Sequence, residues 1–292
     1  MSEQLPVPTE PERESIMIVA FEGWNDAGNA ASHAVDHLAR IWNAQDYGAL
    51  DPEDYHDFQV SRPTVSRLPG GEAVIAWPGT VISTCAAVSN ADRRISLVRG
   101  IEPSMRWRQF CAELLDFAED LEVTTLITCG ALLVDVPHTR PLPTFVTSDD
   151  PAARRRYDLE PSDYEGPTGI VGVLGHEARQ RGITVLSMWV GVPHYVGHPP
   201  SPKATVAMLA QLERFVGIPI DVGELAEDAQ AWQHGADELA QDDDEIGQHV
   251  RHLESLMDET SLPEASGEAI AAEFERFLRR RDDGPGSAGA GA

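Results

Sequence analysis

The chain alternates short apolar runs with longer segments of helical periodicity. Residues 16–21 form an apolar run of the length of a buried strand, and residues 29–42 carry apolar side chains at helical spacing. Residues 22–28 between them form a turn-rich loop, and Asn29 is a suitable N-cap for the helix. This strand–loop–helix unit predicts the opening of an α/β domain. Ligands in open parallel sheets collect at such loops, so residues 22–28 are the first place to look for function.

The same alternation continues as far as residue 216. Strands are predicted at residues 95–98, 123–129 and 183–190, and helices at residues 105–121, 168–181 and 202–216. Shorter β-rich runs at residues 58–60, 65–68 and 73–77 predict mixed strands at one edge of the sheet, with Pro69-Gly70-Gly71 marking a hairpin. Residues 46–59 are predicted to be a connecting loop with one short helical turn. Residues 132–168 are predicted to be a long functional or interface-forming connection.

Strands that alternate with helices predict the α/β class, as a three-layer α/β/α sandwich with a mostly parallel sheet. After residue 220, apolar residues recur at helical spacing between acidic ones, which predicts a helical hairpin and a final helix from about residue 266. The predicted organisation is a disordered leader (1–14), an α/β/α core domain (15–220), an acidic helical extension (221–282) and a flexible tail (283–292).

Charge narrows the classes of partner. The 292 residues carry a net charge of −26, and residues 221–281 contribute 17 acidic side chains against five arginines. A chain this acidic repels phosphates and anionic lipids, so neither nucleic acid nor a membrane is an expected partner.

Cysteine usage and targeting signals predict a cytoplasmic protein. Three cysteines at uneven spacing do not form a disulfide framework and are predicted to be free thiols, of which Cys111 and Cys129 stand in apolar surroundings. No apolar run approaches the roughly 20 residues that span a bilayer. The acidic, Pro-rich N-terminus lacks the apolar segment of a signal peptide.

The loop at residues 22–28 carries the first candidate functional side chains, Glu22, Trp24, Asn25 and Asp26. Two nearby carboxylates could act as an acid/base pair or bind a cation. The alternative is a structural loop, in which Asp and Asn form Asx turns and the tryptophan packs.

Histidines and an arginine follow the later strands. His194 and His198 have i, i+4 spacing, and with His138 they could form a three-histidine metal site. The surrounding Pro and Gly residues disfavour a helix there, so hydrogen-bonding histidines in a polar rim are the preferred interpretation and no metal or cofactor is expected. Arg140 could bind a carboxylate or phosphate, or stabilise a subunit contact.

Known catalytic signatures are missing from the sequence. There is no G-x-S-x-G nucleophile motif, and no base is evident beside Cys129. Gly169, Gly172 and Gly175 do not match the dinucleotide-binding pattern and predict close packing of a helix instead. No enzyme class follows from these residues.

Four segments together resemble the proteasome assembly chaperone 2 family, in its bacterial, actinobacterial-type branch. They are FEGWNDAGNAAS, SLVRGIEPSMRWRQF, TCGALLVDVPHTRP, and GIVGVLGHEARQRGI leading into SMWVGVPHYV. The resemblance implies a nucleoside phosphorylase/hydrolase-like α/β/α fold and self-association, and in eukaryotic relatives the activity is chaperoning of proteasome α-ring assembly. The family supplies no catalytic residues, but Glu102 and His138 match its pattern together with residues of the 22–28 loop.

Two functional hypotheses remain. The first is a non-enzymatic assembly chaperone or adaptor that acts as a homo-oligomer, with a trimer as the first expectation and a proteasome-related protein as a further partner. The second is a small-molecule binding protein or hydrolase for a nucleoside-like or carboxylate compound, which uses polar groups at the strand ends. The candidate binding residues are Glu22, Trp24, Asn25, Asp26, Glu102, His138, Arg140 and His194. Both hypotheses assume that Trp24, His138 and His194 share one rim of the sheet.

Overall fold

The first apolar run forms the centre of a sheet that is covered on both faces. Strand β1 (Glu14–Glu22) is buried along nearly its whole length. Ile16 and Ile18 pack against one layer of helices, while Met17 and Val19 pack against the other. A strand with two covered faces needs apolar residues on both, which explains a continuous apolar run without polar alternation.

The computed structural model describes residues 14–90 and 93–259. The remaining strands are β2 (Gln45–Leu50), β3 (Thr64–Arg67), β4 (Ala73–Ala76), β5 (Thr80–Thr84), β6 (Arg93–Ile101), β7 (Thr125–Val134), β8 (Thr144–Thr147) and β9 (Thr184–Pro193). The α-helices are α1 (Ala30–Ile41), α2 (Pro52–Tyr55), α3 (Trp107–Asp120), α4 (Pro151–Tyr157), α5 (Ile170–Gln180), α6 (Pro202–Val216), α7 (Leu225–Asp242) and α8 (Asp244–Glu259). Single 3-10 turns occur at Ala27–Asn29 and His194–Val196.

Seven of these strands form one mixed sheet in the order β2-β5-β6-β1-β7-β9-β8. The four central strands β6, β1, β7 and β9 are parallel, while β2, β5 and β8 pair antiparallel at the edges. Helices α1 and α6 cover one face and helices α3 and α5 cover the other. The predicted α/β class, with a mostly parallel sheet between two helical layers, is confirmed.

Several strand predictions need correction. Residues 58–60 form a turn rather than a strand. Strand β2 occupies part of the loop predicted at residues 46–59. The short helical turn predicted within that loop is present as α2. The predicted hairpin exists, but β3 and β4 form a separate two-stranded sheet, and the mixed edge consists of β2 and β5. The long connection at 132–168 contains the end of β7, β8 and α4.

After α6 the chain continues into α7 and α8, where the helical hairpin was predicted. The apolar side chains that these two helices bury are few, namely Ala236, Val250 and Leu253. None of the described helices combines the length and hydropathy needed to cross a bilayer. The predicted leader (apart from Glu14, where β1 begins), the final helix from about residue 266 and the tail lie outside the described residues.

Candidate functional site

The carboxyl ends of the four parallel strands emerge along one edge of the sheet, called the rim below. Glu22 ends β1 opposite Ile101 at the end of β6, while Val134 ends β7 opposite Pro193 at the end of β9. The predicted site residues follow these strand ends directly. They divide into two groups, one that contacts α1 and α5 and one that contacts α7 and α8.

The first group surrounds the N-terminus of α5 and is called the Glu102 cluster. The Glu102 Oε1 atom accepts the backbone N–H of Ile170 at 2.9 Å, and the backbone N–H of Trp24 donates to the same carboxylate. The pKa of Glu102 is raised, because burial raises it by more than these two hydrogen bonds lower it. A carboxylate at a helix N-terminus is stabilised by the unpaired amides and by the helix dipole. Glu102 therefore connects the end of β6 to the start of α5.

Glycine at position 169 is required by this arrangement. A Cβ atom there would lie 3.0 Å from both Asn25 Oδ1 and Glu102 Oε1. Asn25 is only 2% exposed, and its Nδ2 donates to Phe21 O at 2.9 Å. Its Oδ1 is buried and accepts no hydrogen bond from the described residues. The Glu102 cluster thus contains one polar atom that the fold leaves unsatisfied.

Asp26 caps the first helix of the core. Its Oδ1 accepts the N–H of Ala31 at 2.7 Å, and its Oδ2 accepts the N–H of Ser32 at 3.1 Å. The N-cap prediction for Asn29 is wrong in this respect, because Asn29 adopts a left-handed conformation and makes no side-chain cap hydrogen bond. Burial raises the pKa of Asp26 to about 6, against the lowering effect of these hydrogen bonds. At 3% exposure the carboxyl is inaccessible to a substrate.

The second group, called the His138 cluster, connects the end of β7 to α7. His138 is fully buried. Its Nε2 donates to Asp237 Oδ1 at 3.0 Å, and its Nδ1 accepts from the Tyr195 hydroxyl at 2.7 Å. The backbone N–H of His138 donates to the same hydroxyl oxygen, and Lys203 Nζ donates to the His138 carbonyl and to Gln233 Oε1.

Tyr195, His138 and Asp237 reproduce the order of a hydroxyl–imidazole–carboxylate triad. Burial raises the pKa of Tyr195 to about 12, so its hydroxyl stays a neutral hydrogen-bond donor at neutral pH. The imidazole between the two is inaccessible to solvent. The three side chains therefore form a structural network around a buried imidazole rather than an activated nucleophile.

Arg140 and His194 also contact the C-terminal helices. Arg140 forms ion pairs with Asp258 at 3.0 Å and Glu254 at 3.4 Å, both on α8. The His194 ring lies 5.3 Å from the ring of His249 on the same helix. Both predicted site residues therefore contact the extension of their own chain. Their predicted role in binding a ligand or partner stays a prediction, as it does for Glu22, Trp24 and the other candidate residues.

The free cysteines were predicted correctly. Cys85, Cys111 and Cys129 are all buried and unpaired with one another. Burial raises the pKa of Cys85 and Cys111 to about 12 and raises that of Cys129 as well. None of the three is a thiolate at neutral pH, which removes the cysteine nucleophile from consideration.

The sequence did not predict a cleft of about 450 Å³ between α5 and the β8–β9 edge of the sheet. The Trp189 ring forms part of its lining, and Gly130 leaves the space for that ring, since a Cβ there would lie 2.5 Å from it. Gly172 and Gly175 line the helical side together with His176. The glycines predicted to allow close packing therefore also widen a cleft. Gly130 and Trp189 face each other in register on β7 and β9, a pairing that only the structure shows.

The sheet order, its two helical layers and the rim define a three-layer α/β protein with a C-terminal helical extension. Residues 20–240 match the PAC2 family profile, and the chain belongs to the PAC2 family. This confirms the predicted family. None of the curated proteins matches the chain.

Solved structures of actinobacterial and archaeal proteins have the same fold as this chain. A PAC2 family protein from Streptomyces avermitilis is 51% identical, with a TM-score of 0.75, over 81% of this chain and 100% of that chain. A proteasome-assembly chaperone homologue from Mycobacterium tuberculosis is 42% identical, with a TM-score of 0.71, over 80% of this chain and 99% of that one. An archaeal proteasome activator from Pyrococcus furiosus is 16% identical, with a TM-score of 0.63, over 80% of this chain and 96% of that chain, and shares the fold.

The raised pKa of Asp26 predicts how the stability of the protein depends on pH. Between the ordinary value of 3.8 and the folded value of about 6, the folded protein holds a proton that the unfolded chain releases. Stability contributed by this group is therefore lost as pH rises through that window. We expect the free energy of unfolding of wild type, relative to Asp26→Asn, to fall by about 2–3 kcal/mol between about pH 4 and pH 7.

Urea denaturation at intervals across this range measures the difference. Asp120→Asn, which removes an exposed acid on α3, is the control for a change of charge outside the core. The opposite result would be that wild type gains stability relative to Asp26→Asn as pH rises. It would mean that the helix N-terminus stabilises the Asp26 carboxylate more than burial destabilises it, so that the pKa of Asp26 is lowered.

The His138 cluster makes a second prediction. His138→Ala leaves the Tyr195 hydroxyl and the Asp237 carboxylate without their buried partner, so we expect a loss of about 1–3 kcal/mol in the free energy of unfolding. Amide exchange in α7 should accelerate more than exchange in β1, because the contact joins α7 to the core. His234→Ala, which removes an exposed imidazole from the same helix, is the matched control. Unchanged exchange in α7 would contradict a docking role.

Proposed function

We propose that the protein is a non-enzymatic assembly chaperone or adaptor that acts as a homo-oligomer with a proteasome-related partner. The 42% identical relative described as a proteasome-assembly chaperone homologue supports the chaperone-like role. The buried His138 network and the un-ionised cysteines support a role without catalysis. Free thiols suit a reducing cytoplasm.

The observation that carries self-association is the hairpin of β3 and β4. All eight residues of the two strands are exposed, and the pair lies outside the main sheet. Large apolar side chains on it and beside it are exposed by 39–77%, namely Val60, Val65, Leu68, Val74, Ile75 and Trp77. An isolated two-stranded hairpin is marginally stable in water, and an exposed apolar patch marks a protein interaction site.

Charge favours a second copy of the chain as the occupant. Residues 60–77 contain two arginines and one glutamate, a net charge of +1, whereas residues 221–259 contain 13 acidic residues and one arginine, a net charge of −12. The hairpin is therefore suited to contact the acidic helices of another copy. A contact between two different surfaces repeats from copy to copy, and a ring results when the rotation closes. The expected trimer is one such ring.

Two charged substitutions on the hairpin test self-association. We expect wild type to show three times the chain mass of 31.8 kDa by light scattering, and Val65→Asp with Ile75→Asp to show the monomer mass. Both side chains are more than half exposed, so the change leaves the core intact. Met105→Asp, at an exposed apolar position far along the chain from the hairpin, is the control and should keep the wild-type mass. A monomeric wild type would refute the proposal, and a dimer would refute the ring.

The proposed partner is tested with purified proteasome subunits from Streptomyces or Mycobacterium, the sources of the relatives. We expect the wild-type protein to bind isolated α-subunits or half-assembled particles and to accelerate formation of the complete core particle. Native gels and peptidase activity over time measure both. The hairpin double variant separates partner binding from self-association, because it retains the rim and the helical extension.

The small-molecule alternative is favoured by the 450 Å³ cleft and by the unsatisfied Asn25 Oδ1, since pockets of this size hold small ligands. Nucleosides and carboxylates are the compounds to screen by thermal shift. A ligand at about 100 times its dissociation constant adds about 2.7 kcal/mol to stability. Such stabilisation, together with no effect on proteasome assembly, would favour this alternative over the chaperone.

A further inference from the structure

Three side chains of the types that ligate metals lie where the rim meets α8, next to Tyr195 of the His138 cluster. Asp135 is the first residue after β7, His194 is the first after β9, and His249 projects from α8. One donor atom from each of the three lies within 4.8 Å of the other two. Three separate segments of the chain thus present one carboxylate and two imidazoles to one point.

The distances suit a single ion. His194 Nδ1 lies 3.0 Å from Asp135 Oδ1, and the rings of His194 and His249 meet edge to face at 5.3 Å. Ligands of a tetrahedral zinc ion stand about 3.4 Å apart, because metal–nitrogen and metal–oxygen bonds are about 2.0–2.2 Å long. The three donor atoms, all within 4.8 Å of one another, are close to that spacing.

The surroundings of His249 give an independent reason to expect a bound ion. Its Nε2 atom is buried and has no hydrogen-bond partner among the described residues. Buried polar atoms without a partner are uncommon in folded proteins, and a bound ion is one of their recognised causes. The Tyr195 ring packs 5.8 Å from both imidazole rings and restricts their orientation.

We propose that Asp135, His194 and His249 bind a divalent first-row transition metal ion, with zinc as the representative. Two imidazole nitrogens and one carboxylate oxygen are donors that zinc, cobalt and nickel prefer, whereas magnesium and calcium require oxygen ligands. Three protein ligands leave a coordination position open to water. The three-histidine set considered from the sequence is not the one assembled, because both ring nitrogens of His138 are engaged by Tyr195 and Asp237.

The ion would join α8 to the ends of two core strands. The apolar burial of α7 and α8 is small, so a coordination bond to His249 would hold the extension more firmly than its packing alone. This inference does not depend on the proposed chaperone function. Failure of metal binding would leave self-association and proteasome binding unaffected.

The test uses the full chain, freed of any affinity tag and stripped of metal with a chelator. Zn²⁺ binding is measured by calorimetry and by thermal shift, and Co²⁺ binding by visible absorption, which reports coordination directly. We expect one equivalent of Zn²⁺ to bind wild type and raise its melting temperature, with Mg²⁺ giving no effect.

Variants assign the ligands. His249→Asn and Asp135→Asn should each weaken Zn²⁺ binding at least tenfold and remove the Co²⁺ absorption. Asp135→Asn keeps the test valid if His249→Asn disturbs α8, because the Asp135 side chain is 44% exposed. His252→Asn removes an exposed histidine from the same helix and should bind as wild type does. Absence of Zn²⁺ binding by wild type, or equal binding by both ligand variants, would overturn the proposal.

Discussion

The structure depends on the burial of β1 and β7 on both faces of the sheet. Their residues contact helices above and below, so a polar side chain inside either strand would be buried without water. In these two strands charged side chains occur only at the ends, as Glu14 and Glu22 do in β1. The rim is therefore a geometric consequence of the two apolar layers, and the residues that follow each strand decide what the rim does.

Most of the predicted rim residues are used to attach other parts of the chain. Asp26 caps α1, Glu102 caps α5, His138 bonds to α7, and Arg140 pairs with α8. Each side chain makes a contact within the chain, and Asp26 and His138 are also withdrawn from solvent. A polar cluster at strand ends was good reason to expect binding, but in this chain the bound groups are largely its own helices.

The sequence predicted the elements whose signals are local. Helix α6 was predicted at its observed bounds because Pro202 occupies the first turn and Gly217, at φ +66°, ends it. Strand β2 escaped prediction because it is an exposed edge strand, and its Gly48 packs against the Phe117 ring, a contact 69 positions along the chain.

The candidate site was less predictable than the fold, because its partners come from far along the chain. The spacing of His194 and His198 suggested a metal, yet the imidazole that joins His194 comes from His249 on α8. Likewise, the carboxylate that engages His138 is 99 residues away. Residue type and strand position placed these side chains on the rim, but tertiary packing of α7 and α8 selected their partners.

The rim and the β3–β4 hairpin differ in the groups that they offer to a binding partner. Most of the predicted rim residues bond to other parts of the chain, whereas the hairpin exposes large apolar side chains and lacks a third strand. Hydrophobic burial is the dominant favourable term in association, and the hairpin has the most to gain from it. Rim contacts that hold α7 and α8 against the core would also hold their acidic surface in place. A rigid surface loses less conformational freedom on binding, so it would suit recognition by a hairpin of net charge +1. The proposed assembly would use both features, an acidic surface held in place by rim contacts and exposed apolar side chains on the hairpin.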